Sequence, residues 1–160
     1  MRVRHGVGAM WAVAASSALM LGTRSGAATR DRVQQSEGAR LYSVTCQACH
    51  QVSGQGLANQ FPPLAGSEWV TGSEERLVLI ILHGIVGEIE VEGESFNGAM
   101  PTWGPTFTDG DVAAVATYVR SAWGNKAAPV SASTVTRVRV AFAERKAPWT
   151  AGELQKALKR

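Results

Sequence analysis

Cys46-Gln47-Ala48-Cys49-His50 sets two thiols three residues apart and places an imidazole directly after the second. Covalent haem attachment uses this spacing: each thiol adds to a vinyl group of the macrocycle, and the adjacent His is aimed at the iron. One iron ligand is thereby supplied by a residue already fixed to the ring. Other readings of the cysteines fit less well. A redox Cys-x-x-Cys pair opens a helix after a strand, whereas this one closes a helical stretch without a βαβ context. A zinc site needs a fourth ligand, and after the amino-terminal segment the one further Cys or His is His83. A local disulfide would leave His50 without a role.

Working outward, Gly38, Leu41, Tyr42 and Thr45 recur at helical spacing and predict a helix over 35–46. Residues 51–72 are rich in Gly, Pro, Asn and Ser and read as loop. A second iron ligand is sought among the methionines, because haem iron in electron carriers is commonly held by His and Met. Of Met1, Met10, Met20 and Met100, the first three fall in the amino-terminal segment. Met100 remains, in a stretch bounded by Gly and Pro (Asn97-Gly-Ala-Met-Pro-Thr-Trp-Gly104). The bland alternative is a gap-filling core methionine. His83 is the alternative axial ligand.

Gly38-x-x-Leu-Tyr42, Cys-x-x-Cys-His over 46–50, Pro62-Pro-Leu-Ala-Gly66 and Met100-Pro101 ahead of a helix carrying Tyr118 occur in this order. The set resembles a class I c-type cytochrome, monohaem and His/Met-ligated, of the exported bacterial type, over about residues 35–124. The resemblance implies an all-α cytochrome c fold around one covalent haem c, with the first and last core helices crossing at Gly38 between Tyr42 and Tyr118. It implies His50 and Met100 as metal ligands, with Cys46 and Cys49 attached. It also implies that the Pro62 carbonyl accepts the second ring proton of His50, and that Leu64 packs on the haem. Pro63 leaves that register open by one residue. Trp69 and Trp103 are candidates to line the haem or donate an indole N–H to a propionate.

Ser73 caps a helix whose first turn carries Glu74 and Glu75, although Leu77–Leu82 alone could also be a buried strand. Residues 87–98 alternate, with Ile89 and Val91 on one face and Glu88, Glu90 and Glu92 on the other, and read as a small hairpin turning near Glu92-Gly93. Thr108 and Asp111 open a helix striped with Val112, Val115 and Val119 and ended by Gly124. Ser131 caps a helix to about Glu144, and Thr150 with Glu153 boxes a last one. Three segments result: 1–27, 31–124 as the haem domain, and 125–160 as a basic helical C-terminal extension outside the main core.

Segment 1–27 reads as an export signal, with Arg2 and Arg4 before the apolar run Val7–Gly22 and small residues at Ser25-Gly26-Ala27. An uncleaved membrane anchor is the alternative. Cleavage would leave 13 basic against 13 acidic residues, so the precursor's net charge of +3 does not argue for nucleic-acid binding. The charge is segregated: residues 31–124 carry 4 bases and 11 acids, and 125–160 carry 8 bases and 2 acids. Either the basic helices fold back on the acidic body, or they dock on an acidic partner or membrane surface.

The expected protein is therefore a periplasmic carrier of single electrons and not itself an enzyme. Its partners would be redox proteins such as a dehydrogenase, an oxidase or a membrane cytochrome complex. The ends of cytochrome domains in membrane-associated dehydrogenase systems resemble Trp123-Gly-Asn125 and the helix after it, which favours a dehydrogenase as donor. A haem enzyme or gas sensor with a labile Met ligand is the rival from another class.

Overall fold

The computed structural model describes residues 22–159, so the export signal read over 1–27 lies, as far as residue 21, outside the described residues. Helix α1 spans Gly22–Thr45 and begins well before the predicted residue 35. From Gln34 onward it touches a second long helix, α5 (Asp109–Ser121): the Gln34 amide donates to Ala113 O at 3.1 Å and to Thr117 Oγ1 at 2.9 Å. The two backbones meet at Gly38, where a Cβ would run into the Ala114 carbonyl and lie 2.7 Å from Tyr118 Cβ. Only glycine permits that approach. Tyr42 and Tyr118 flank the crossing with ring centroids 5.5 Å apart.

A single turn, α2 (Gln47–His50), continues α1 after Cys46. Within the predicted loop over 51–72 lies a short helix, α3 (Glu68–Thr71), whose cap Ser67 accepts from Trp69 N at 3.2 Å. Helix α4 (Glu74–His83) carries the ambiguous run Leu77–Leu82, every residue of it buried. Its Ser73 cap, accepting from Arg76 N at 3.3 Å, and its two leading glutamates favour the helix. The capping box of α5 is formed, Asp111 N donating to Thr108 Oγ1 at 3.2 Å and Thr108 N to Asp111 Oδ2 at 2.9 Å. The helix does not run to Gly124: it stops at Ser121, and Ala122–Gly124 form a 3-10 turn with Trp123 at φ 53°. No helix among the described residues is long and apolar enough to cross a membrane.

The fold is helical but not purely all-α. Strands β1 (Ile85–Val91) and β2 (Glu94–Met100) pair antiparallel about Glu92-Gly93, from Val91↔Glu94 to Ile85↔Met100. Met100 is accordingly the last residue of a strand and not a loop residue. Pro101, which has no N–H to donate, follows at the end of the ladder.

Residues 125–159 do not stand outside the core. Helix α6 (Ala132–Ala141) packs on α4 and α5, and α7 (Ala151–Ala157) packs on β1. Val130, Val135, Val138, Trp149 and Leu154 are all buried in the same cluster as α4 and α5. Trp149 also pairs with the first strand, Val86 N donating to Trp149 O at 2.7 Å and Trp149 N to Gly84 O at 3.0 Å. The segregated charges meet inside the molecule: Arg139 bonds Asp109 at 2.7 Å and Arg137 bonds Glu75 at 3.0 Å. Partly exposed pairs of this kind contribute about 0–1 kcal/mol each. The apolar contacts dominate. Leu154→Ala is expected to cost about 2–5 kcal/mol, and a chain ending at Gly124 to lose cooperative folding, since a whole domain is stable by only about 5–15 kcal/mol. Denaturant melts check both, and an unchanged Leu154→Ala midpoint would contradict the packing of α7.

Candidate functional site

The site is built on one helical turn. Cys49 N and His50 N both donate to Cys46 O, at 3.2 and 2.9 Å, so the side chains at i, i+3 and i+4 share one face. That face opens on an apolar cavity lined by Cys46, Cys49 and His50, with Pro62 and Leu64 from the following loop and Met100 and Trp103 from the other side. Leu77, Ile80 and Ile81 of α4, Val115 and Val119 of α5, and Phe96 of the hairpin close it. All six candidate binding residues, Cys46, Cys49, His50, Pro62, Leu64 and Met100, thus border one space, although 54 positions separate the first from the last.

His50 is 9% exposed, and its Nδ1 lies 3.0 Å from the carbonyl oxygen of Pro62. Of the two prolines, the structure selects Pro62. Burial pushes the His50 pKa down, with the Pro62 bond opposing, which favours the neutral ring. A neutral ring donating through Nδ1 leaves Nε2 with a lone pair for a metal. Cys46 and Cys49 are not joined in a disulfide. Burial raises the Cys46 pKa, a contact from Thr45 Oγ1 at 3.3 Å opposing.

The Met100 strand end is held against the C-terminus of α4. Trp103 N donates to Ile81 O at 3.0 Å, Gly104 N to Leu82 O at 3.1 Å and Thr102 Oγ1 to Leu82 O at 2.5 Å. These are carbonyls that a helix end leaves without intrahelical partners. Gly84, at φ 76°, admits the Met100 carbonyl where a side chain would collide. Met100 is the one methionine among the described residues.

Two alternatives are corrected by position. His83 does not border the cavity: its ring stands edge-on to Trp149 with centroids 6.1 Å apart, under the C-terminal extension. Burial, then the charge of Arg145, pushes its pKa down. The Trp69 indole N–H is engaged by Glu90 O at 2.7 Å and is not offered to a propionate. Trp69 does line the cavity, as does Trp103, stacked on Phe107 at 5.3 Å. Among the described residues there is no group of three or more His, Cys, Asp or Glu that could hold a metal ion.

Sequence reasoning used Trp123 only as part of a resemblance and gave it no place beside the site. Its indole donates to Val52 O at 3.0 Å and its ring lies 5.0 Å from Tyr42, whose hydroxyl donates to Gln51 O at 2.5 Å. Together they pin the backbone just after His50. A Cβ at Gly54 would strike the Trp123 ring, and that glycine was the available signal.

The donor set suits haem. One imidazole and one thioether border an apolar cavity where two thiols share the imidazole's face, and no carboxylate lines it. Residues 33–119 match the family model described as cytochrome c oxidase, cbb3-type, subunit III. Cytochrome c-552 of Thermus thermophilus is 41% identical over 95 residues, which cover 57% of this chain and 71% of that protein. The cytochrome c subunit of the quinone alcohol dehydrogenase of Gluconacetobacter polyoxogenes is 37% identical over 105 residues, 64% of this chain but 22% of that subunit. The fructose dehydrogenase cytochrome subunit of Gluconobacter japonicus is 34% identical over 110 residues, again 22% of its length. From the matched family and these relatives, the chain belongs to the class I c-type cytochromes, electron-transfer proteins built on one covalently bound haem c.

Proposed function

We propose that this chain is a periplasmic carrier of single electrons that serves a dehydrogenase, with 31–124 as its haem domain and 125–160 as the segment that closes it. Cys46 and Cys49 form the thioethers, His50 and Met100 bind the iron, the Pro62 carbonyl orients His50, and Leu64 packs on the ring. The observation that carries this reading is the convergence of the two thiols, the Pro62-held imidazole and Met100 on one apolar cavity. When bound, haem c supplies a one-electron iron couple. With His50 and Met100 both engaged, no position is left for a substrate, which favours electron exchange over bond chemistry. The apolar walls and the thioether both favour a high potential.

Two of the segments that line the cavity are free of charge, which favours a contact that depends little on charge. Residues 41–67 and 95–108 contain no Asp, Glu, Lys or Arg. Val44, Val52 and Leu57, exposed by 68, 71 and 44%, flank the cysteines in sequence. The test is stopped-flow reduction of the full-length ferric protein by a purified quinone-dependent alcohol dehydrogenase at two ionic strengths. A one-electron transfer whose rate changes little with salt is expected, since screening acts on charges. Failure of that enzyme to reduce a protein that dithionite reduces normally would overturn the dehydrogenase partnership.

A further inference from the structure

Asn125 lies beyond the residues matched by the family model, yet its side chain is buried and fully engaged. Its Oδ1 accepts from Gly66 N at 2.8 Å, and its Nδ2 donates to Leu64 O at 3.0 Å and to Val119 O at 2.7 Å. The same short segment is tied from its other side, Leu64 N and Ala65 N both donating to Gly54 O, at 2.7 and 3.0 Å. Leu64–Gly66 is thus held between the loop that follows His50 and the end of α5. Two residues before Leu64 stands Pro62, the acceptor for His50 Nδ1. Pro62 and Pro63 have φ fixed by their rings, so few soft torsions separate the anchored Leu64 carbonyl from the Pro62 carbonyl.

We propose that Asn125 is a positioning residue for His50: by clamping Leu64 and Gly66 to the end of α5, it holds the Pro62 carbonyl on His50 Nδ1 and so sets how strongly the imidazole donates to the iron. The inference rests on the ligand reading above. An acceptor on the second ring nitrogen makes a ligating His more basic. A more basic imidazole favours the oxidised metal, so a slackened Pro62 bond raises the potential. Removing the carboxamide also leaves two carbonyls and an amide without their partner, each costly when buried.

A residue that merely held the C-terminal extension in place would affect stability alone. The experiment therefore compares Asn125→Ala with Val138→Ala in the intact holoprotein. Val138 is buried in the same extension, at 3% exposure, and its apolar side chain cannot bond the loop. Reduction potential and the solvent exchange of the His50 Nδ1 proton, followed by NMR, are read in both. Asn125→Ala is expected to raise the potential and to speed exchange about tenfold, equivalent to about 1.4 kcal/mol of lost restraint. Val138→Ala is expected to lower the melting temperature and move neither reading. Unchanged potential and exchange in Asn125→Ala, or equal shifts in both variants, overturn the proposal. If Asn125→Ala does not accumulate as holoprotein, Asn125→Ser, which keeps a hydroxyl but cannot span the same three partners, is read by the same criteria. Failure of the ligand reading is distinct: the unsubstituted ferric protein would then lack the long-wavelength iron–thioether band.

Discussion

Replacing Cys46 and Cys49 together by Ala is expected to abolish haem staining on a denaturing gel. In that gel only covalent bonds survive, and the two thioethers are the covalent bonds that the fold offers. Both thiols stand on the cavity face of one turn with His50, so each is placed to add to the edge of the same ring. A single substitution leaves one thioether and is expected to weaken the stain. The double variant keeps His50, its Pro62 bond and the apolar walls, so any haem it retains is coordinated and is lost on denaturation. Staining that survives the double substitution would contradict the attachment outright.

Met100→Ala carries the second large effect. The ferric protein is expected to lose the long-wavelength charge-transfer band of an iron–thioether bond. The potential is expected to fall by a sizeable part of the roughly 0.8 V over which axial ligands set haem potentials. No described residue stands ready to replace the thioether: a second methionine is absent among the described residues, and His83 lies against Trp149 away from the cavity. Absorption spectra and a redox titration of the variant make the check. A band and potential that both persist would remove Met100 from the iron, and His83→Ala is expected to change neither.

Much of this site was legible because its parts are local. One turn of helix fixes the relation of Cys46, Cys49 and His50, and a spacing in sequence therefore states a geometry. Gly38 was legible through the resemblance, which implies a residue without a side chain where one helix must approach another backbone. The capping residues Ser73, Thr108, Ser131 and Thr150 located four helix starts, because the groups they satisfy lie within three residues. What escaped depended on contacts distant in sequence. Met100 read as a loop residue because a flexible-looking Gly-Ala-Met-Pro run gives no sign of its pairing with Ile85. The stretch after Gly124 read as an appendage because its eight basic residues dominate the pattern. Its core contacts come from Val130, Val135, Val138, Trp149 and Leu154, too widely spaced to make one stripe. The resemblance pointed to Pro62 but Pro63 left the register open by one residue, and it is the fold that brings the Pro62 carbonyl to His50.

Spectroelectrochemical titration of the purified full-length protein, with carbon monoxide added to the reduced form, tests the account most directly. His50 and Met100 holding the iron in a carrier predict a one-electron Nernstian curve, six-coordinate low-spin spectra in both oxidation states, and a reduced spectrum indifferent to carbon monoxide. A five-coordinate reduced iron that binds carbon monoxide at once would contradict the account and favour a haem enzyme or gas sensor.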